Sequence, residues 1–528
     1  MGATQGPHRV DTTQRSHRMG QAVSGVLYHE LLQYLMVINR PIDKLPLEIL
    51  CRVFFNAAEF PYTTFEPSHL RPHRTNLILL KVTAVCKRWR STALGCAILW
   101  KNIAFSTSTR STIQCARLFL SRSKQVALSV YIWDIGCTEN LEIDESSNEL
   151  LEFVSAQTHR ISTCQLSSPS HDFWRHWALP APNLRKLLLH GHGPEAPPVF
   201  RGEFPRLEMF TSKYCTTWPL GNYATLSHVE LRNHSRRVTL VSLLEALTGC
   251  TMLERLILDG YWRLEQDGPH LTPIHLPRLR GLDLISSDSA LILEHLEAPS
   301  LRGSVIIFDP NPHRDILHSL PNPPGTVPYL QGITSLVIDI SIRTSYHYVA
   351  GFRQGGSTAF YVGVYGVPYW AKWSWTQLSF AAVASFAPFS NIRSLTLVTD
   401  AAAVPWELWL PKFGRVEELS VSCPKPDDLF TALLGFPPDT RLPLLYSLTL
   451  HRHSGSASVD CTRLMEFVLY RYGVARPLRQ LRLNKEEWGW IQRLDETWVL
   501  LAQSQCKCLV SSATRRSLTS SQILMRIQ

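Results

Sequence analysis

The 528-residue chain has no uninterrupted apolar run of about 18 residues, the length a spanning helix needs, so no membrane segment is expected. Its twelve cysteines never form a Cys-x-x-Cys pair. They scatter from Cys51 to Cys508, mostly inside apolar runs. That pattern reads as buried free thiols of a reducing compartment rather than a disulfide framework or a zinc site. The opening stretch MGATQGPHRVDTTQRSHRMG is polar and has no apolar centre of a secretory signal. Gly6 stands where a myristoylation signal requires Ser or Thr. A cytoplasmic or nuclear location is the expectation. Catalytic signatures are missing as well. No G-x-x-x-x-G-K-[ST], no G-x-G-x-x-G after a strand and no G-x-S-x-G is present. His171 and His176, like His190 and His192, stand without cysteines or a carboxylate-bearing helix, so no metal centre is expected. Glu486 and Glu487 lie beside Trp488 and Trp490, as in a surface turn. The chain is expected not to be an enzyme and to need no cofactor.

Acid is absent from one stretch in particular. Between Pro67 and Trp133 there is no Asp or Glu, while eleven Lys and Arg run from Arg71 to Lys124. The formal net charge is +10, so nearly the whole excess sits in that stretch. Such a field favours an acidic partner, either protein or nucleic acid. The aromatics there, including Trp89, Trp100 and Phe105, fit a core better than an exposed stacking platform.

What is present begins with apolar pattern. At 45% hydrophobic residues the chain can build a large core. In PIDKLPLEILCRVFFNAAEF, Pro46 suits a first helical position and Glu48 a first turn. Leu45, Ile49, Val53 and Phe54 then recur at helical spacing. PYTTFEPSHLRPHR (61–74) reads as a loop. TNLILLKVTAVCKRWRSTALG (75–95) reads as a second helix, with Leu80, Ala84, Val85 and Trp89 on one side. CAILWKNIAF adds Leu99, Trp100, Ile103 and Phe105. The result is a helical module of about 60 residues, near the lower limit for independent stability and expected to share surface with a partner.

These blocks, LPLEIL-x-x-VF, VCKRWR and ILWKNI, resemble the F-box family in its fungal form, in the family's order. The positions that carry the resemblance are Leu45, Pro46, Glu48, Ile49, Leu50, Val53, Phe54, Val85, Cys86, Lys87, Trp89, Leu99 and Trp100. The resemblance implies that this face binds a Skp-type adaptor and, through it, a cullin–RING ubiquitin ligase. Taken singly, Leu45, Ile49 and Trp89 fit a core better than an interface.

Past residue 105 a second pattern returns: apolar, two others, apolar, one other, apolar. It runs Leu184-x-x-Leu187-x-Leu189, then from Leu226, Leu253 and Leu279, later from Ile333, Ile392, Val416, Leu445 and Leu478, and more weakly from Ile161, Leu207 and Leu301. The early copies stand 19 to 27 residues apart. The first residue of each turns the chain into a short strand whose alternate side chains point inward. LVSLLEALTGC (240–250) has helical spacing between two such strands, with Gly249 near its end. The array resembles a degenerate leucine-rich repeat, with the usual Asn or Cys mostly missing. The leucines are scaffold; recognition of a target protein would fall to the residues between them. The segment 341–390 breaks the period and is rich in Tyr and Trp. Alternation in AFYVGVYGV predicts a strand pair, and the segment suits either a binding hot spot or an apolar filler.

The expected class is therefore α/β: a leader (1–20), an F-box domain (21–105), an irregular leucine-rich-repeat-like solenoid (106–505) carrying the insertion, and a basic tail (506–528). The expected role is a substrate-receptor subunit of an SCF-type ligase. The alternative is nucleic-acid binding through residues 67–133.

Overall fold

The computed structural model describes residues 45–58, 71–107, 109–133 and, between short gaps, 145–482, together with 507–508. The expected leader, the segment 21–40, residues 61–70 of the proline-rich loop and nearly all of the tail lie outside the described residues. The architecture is mixed α/β with a helical N-terminal region. Two compact units divide between Trp133 and Asp134.

In the first unit, α1 spans Leu47–Ala58. The Leu50 amide bonds the Pro46 carbonyl at 3.0 Å, so Pro46 precedes the helix rather than occupying its first position. Glu48 lies in the first turn, where its charge complements the helix dipole. The single helix expected over 75–95 is instead two, α2 (Arg71–Val85) and α3 (Lys87–Gly95). α2 starts earlier than expected because Pro72 falls in its first turn, where no amide hydrogen is required. The break is at Cys86, which is extended at φ −155° and ψ 170°. Its sulfur accepts the Trp89 amide at 3.4 Å and so occupies one orphan donor of α3. The chain turn at Cys86 brings the Trp89 ring to 5.0 Å from Phe54 of α1.

After a 3₁₀ turn (Ala97–Trp100) come β1 (Asn102–Ser106), α4 (Arg110–Arg122) and β2 (Leu128–Trp133). The two strands pair in parallel, Ile103 opposite Val130 and Phe105 opposite Ile132. Trp100 is fully buried and donates its indole N–H to the Ala93 carbonyl at 2.8 Å. Phe119 of α4 meets it edge-on at 4.8 Å, and the Arg122 guanidinium lies 4.4 Å above it. Helices and strands of this unit therefore share one core, and position 105 falls inside β1.

The second unit opens with α5 (Glu145–Ser155), β3 (Ile161–Ser167), α6 (His171–Arg175), β4 (Lys186–His190), β5 (Met209–Lys213) and β6 (His228–His234). It continues with α7 (Leu240–Thr248), β7 (Arg255–Gly260), β8 (Ile274–His275), β9 (Gly281–Ile285), α8 (Ser289–Glu294), β10 (Leu296–Glu297) and β11 (Val305–Phe308). Then come β12 (Ile333–Ile340), β13 (Tyr346–Arg353), β14 (Thr358–Tyr365), α9 (Lys372–Ser385), β15 (Ser394–Thr399), α10 (Trp406–Trp409) and β16 (Glu418–Ser422). The last elements are α11 (Pro426–Leu434), β17 (Ser447–Leu450), α12 (Cys461–Gly473), β18 (Gln480–Arg482) and β19 (Lys507–Cys508).

Each of the twelve motif copies leads into a strand. The middle motif position forms one row across the parallel ladder: Cys164, Leu187, Phe210, Val229, Leu256 and Leu282 are in register. Leu336, Leu395, Leu419, Leu448 and Leu481 form the matching row after the insertion. All of these are buried. The first motif residue makes a tight turn before the strand: the amides of Leu184, Leu207, Leu226, Leu253, Leu279, Val416 and Leu445 each bond the carbonyl three residues earlier, at 2.9 to 3.2 Å. The copy at Leu301 is out by one, because Val305 and Ile307, not Ser304 and Ile306, register with Leu282 and Leu284.

The insertion does form a strand pair. β13 is antiparallel to both β12 and β14, and β14 is parallel to β11. The hairpin is thus wedged into the ladder, so that β12 resumes the parallel run with β15 two strands further on. The WSWTQLSF part of the insertion is helical, in α9, which the alternation of the preceding strands did not indicate.

Candidate functional site

The residues that carry the N-terminal motif separate into two sets by the side of the helix they occupy. Leu50 and Phe54 of α1, Trp89 of α3, and Leu99 and Trp100 are buried. Leu50 and Phe54, four residues apart, share the inner stripe of α1, where they face the buried side chains of the following elements. Leu45 and Cys86 are half-buried. Leu45 offers its carbonyl to Arg88 of α3, and Cys86 caps that helix. Pro46, Glu48, Ile49, Val53 and Val85 are exposed.

Ile49 and Val53, one turn apart on α1, keep 44% and 38% of their surface, and Val85 keeps 43%. Four further apolar side chains that the motif did not single out are equally open: Leu47, Leu77, Leu94 and Ile98. Leu94 and Ile98 are four apart across the α3–3₁₀ junction, a relation that becomes visible only once the helix break is known. Covering one such side chain fully contributes roughly 1.5–3 kcal/mol, so a unit that leaves seven of them open has a strong tendency to associate.

The same unit is basic. Lys81, Lys87, Arg90, Arg110 and Lys124 are exposed, and the segment supplies no carboxylate. Burial of its guanidinium against Trp100 pushes Arg122 below the usual arginine range. The aromatics of the acid-free stretch, Trp89, Trp100, Phe105, Phe119, Tyr131 and Trp133, are all buried. They offer no platform on which bases could stack.

In the second unit the face opposite the repeat leucines carries the variable residues. Thr211, Glu230, Ile257 and Asp283 share one row on β5, β6, β7 and β9, and Lys213, Arg232 and Asp259 share the next. Glu230, itself buried, pairs with Arg232, and Arg255 meets Asp283 at 2.9 Å. Burial raises the carboxyls of Asp259 and Asp283 against the pull of Arg232 and Arg255, and burial lowers Lys213. Three cations and three carboxylates thus share one face, with Glu230 buried, Arg255 exposed and the other four half-buried. Sequence spacing places these residues between the leucines but gives no sign that neighbouring strands pair them. Further along the same face, Tyr348 and Tyr361 of the hairpin stack at 5.2 Å and 17°, with Ala350 buried between strands. Among the described residues no group of three or more His, Cys, Asp and Glu could hold a metal ion, and no helix is long and apolar enough to cross a membrane.

No curated protein and no solved structure matches the chain. One family model does: the F-box-like domain, over residues 42–106. That span contains α1, α2, α3, the 3₁₀ turn and β1, with every one of the buried and exposed motif residues above. The chain thus carries an F-box-like domain, built from this helical part of the first unit and β1.

Proposed function

We propose that the chain is a substrate receptor of an SCF-type cullin–RING ubiquitin ligase, with the F-box-like domain docking a Skp-type adaptor and the second unit holding a target protein. The observation that carries this reading is the split within the F-box-like domain. Its inner stripe is fully packed, and its outer stripe leaves Ile49, Val53, Val85, Leu94 and Ile98 open on a unit without acidic residues after Glu66. A protein partner with an apolar centre and an acidic rim fits that combination.

The second unit is read as an irregular leucine-rich-repeat solenoid. Its in-register leucine rows are scaffold, and the charged rows on the opposite face are the target-contacting side. The chain would carry out no chemistry of its own. Holding a target beside a charged ubiquitin carrier raises effective concentration, which suffices to accelerate transfer. Such a receptor would act in the cytoplasm or nucleus, where adaptor and cullin reside. Nucleic-acid binding by residues 67–133 is the weaker reading, because none of that stretch's aromatics is open for stacking.

The test is affinity purification of the full chain, scored by mass spectrometry for adaptor and cullin, beside an Ile49→Asp/Val53→Asp variant. Both positions are exposed, so the variant keeps its circular dichroism and melting temperature. Loss of adaptor and cullin from the variant alone is the expected result. Undiminished capture by the folded variant would refute the docking face.

A further inference from the structure

The face opposite the repeat leucines of the second unit is charged unevenly from strand to strand. On β4, β5 and β6 it carries Lys186, Lys213 and Arg232 against one carboxylate, Glu230, which is buried and paired with Arg232. His190 and His228 lie on the same side of these strands. Tyr214, the residue after Lys213, is exposed, held in the left-handed region at φ 54° and edge-on to His190 at 5.0 Å. An open aromatic ring kept in a costly backbone conformation beside cations is the kind of side chain that anchors an interface. β7 and β9 close this basic end: Arg255 meets Asp283 at 2.9 Å, and Asp259 stands in register with Arg232.

The row through Lys213 continues across the hairpin. After Arg232, Asp259 and Ile285 the register passes Phe308, Gly363 and Tyr348 and reaches Asp339 of β12. From Ile285 to Tyr348 the row carries no charge, and beside it Tyr348, Ala350 and Tyr361 pack with Val337. At Asp339 the sign reverses. Asp400, two residues beyond Val398 on the same side, adds a second carboxylate, and the exposed Glu418 of β16 adds a third. The strands β12 to β17 contain one cation, Arg353, at the opposite end of β13 from Tyr348, where it donates to the Leu301 carbonyl at 3.5 Å. Burial and the Asp400 charge raise the Asp339 carboxyl, so a cation arriving there relieves a repulsion.

We infer that this face binds an extended target segment with acidic side chains clustered at one end and basic side chains at the other, laid across the strands from β5 to β12. The inference rests on the reading of the second unit as the part that holds a target. The acidic end lies on Lys186 and Lys213 beside Tyr214, and the basic end on Asp339 and Asp400. Seven strand intervals separate Lys213 from Asp339 along the row. At about 4.8 Å each they span roughly 30 Å, which an extended chain covers with about nine or ten residues. A segment of one sign is repelled at one end or the other, so the face selects the order of charges and not their sum.

The probes are four fluorescein-labelled synthetic peptides of equal length, titrated with the purified full-length chain at low salt and read by fluorescence anisotropy. One has four Glu, three Gly-Ser repeats and four Lys, which sets the charge blocks about ten residues apart. The second has the same composition with Glu and Lys alternating. The third and fourth replace the Glu block or the Lys block by Gln. The block peptide is expected to bind about tenfold tighter than each of the other three. Lys186→Gln/Lys213→Gln is expected to bind the block peptide no better than the one lacking Glu, and Asp339→Asn/Asp400→Asn no better than the one lacking Lys. Circular dichroism checks the fold of both variants, and the wild-type comparison stands without them. Equal affinity for block and alternating peptides overturns the inference. So does absence of binding, full affinity for a peptide that lacks either block, or a folded variant that still discriminates at its altered end. Adaptor and cullin capture is scored separately. Failed discrimination with intact capture rejects the target class alone, and discrimination without capture rejects the ligase reading and leaves the binding face standing.

Discussion

Phe54 of α1 and Trp89 of α3 meet with ring centroids 5.0 Å apart and planes tilted by 55°, both rings buried. The contact ties the first and second motif blocks of the F-box-like domain to each other. It also separates two kinds of loss of binding. Trp89→Ala empties a large interior site and is expected to destabilise the unit by about 3–5 kcal/mol. The adaptor capture proposed above would then fail together with the fold, seen as a lowered melting temperature. A Trp89→Ala protein that melts like the wild type would show that the ring is not structural.

Trp100 makes a second link, to a part of the chain that the family model does not cover. It packs on Phe119 and under Arg122, both of α4. A fragment ending at 106 therefore loses the cover of its largest buried side chain. In urea titrations a fragment 42–133 is expected to unfold at a clearly higher midpoint than a fragment 42–106. Phe119→Ala in the longer fragment should cost about 3–5 kcal/mol. Equal midpoints for the two fragments would mean that α4 is dispensable to the domain.

How far the sequence reveals this follows from what sets each feature. The leucine rows are legible because strand parity is local: in Leu253-x-x-Leu256-x-Leu258 the turn residue and the two inward positions follow from spacing alone. The inner stripe of α1 is legible for the same reason, through helical period. The break at Cys86 is not, because a cysteine is a rare cap and the run through Val85 and Trp89 keeps its period across it. With the break hidden, the exposed pair Leu94 and Ile98 stays hidden too. The one-residue slip after Leu301 and the pairing of Glu230, Arg232 and Asp283 depend on which strands lie side by side. That is a property of the sheet and not of any segment.

Gly351 of β13 stands opposite Phe360 of β14 on the inner side of the hairpin. A β-carbon added there would lie only 2.2 Å from the nearest carbon of the Phe360 ring, so the glycine is required by close approach and not by its backbone angles. Gly351→Ala is expected to cost about 1–3 kcal/mol through overpacking. Phe360→Leu should recover part of that loss in the double variant, because it removes the atoms in the way. Thermal melts of the single and double variants decide the matter: strictly additive losses would place the strain elsewhere.

Asp339 of β12 faces Tyr348 across the β12–β13 pair, and one of its carboxyl oxygens is buried without a hydrogen bond. Burial, helped by the charge of Asp400, raises its carboxyl from the ordinary 3.8 to about 6. A carboxyl that holds its proton more tightly in the folded state favours folding at low pH. The folded chain binds more protons than the unfolded one between the two values, so stability falls as pH climbs through that window. Above about 6 the ionised group sits in its poor environment and the loss is complete. Asp339→Asn keeps the shape and removes the charge. Its melting temperature relative to wild type is therefore expected to rise as pH is taken from below 3.8 to above about 6, and then to level off. Tyr348, raised to about 12 by burial and by the Asp339 charge, should titrate at a lower pH in the same variant, seen in its ultraviolet absorbance. A difference between variant and wild type that stays flat across the window would mean that the Asp339 carboxyl ionises in the folded chain as it does in water.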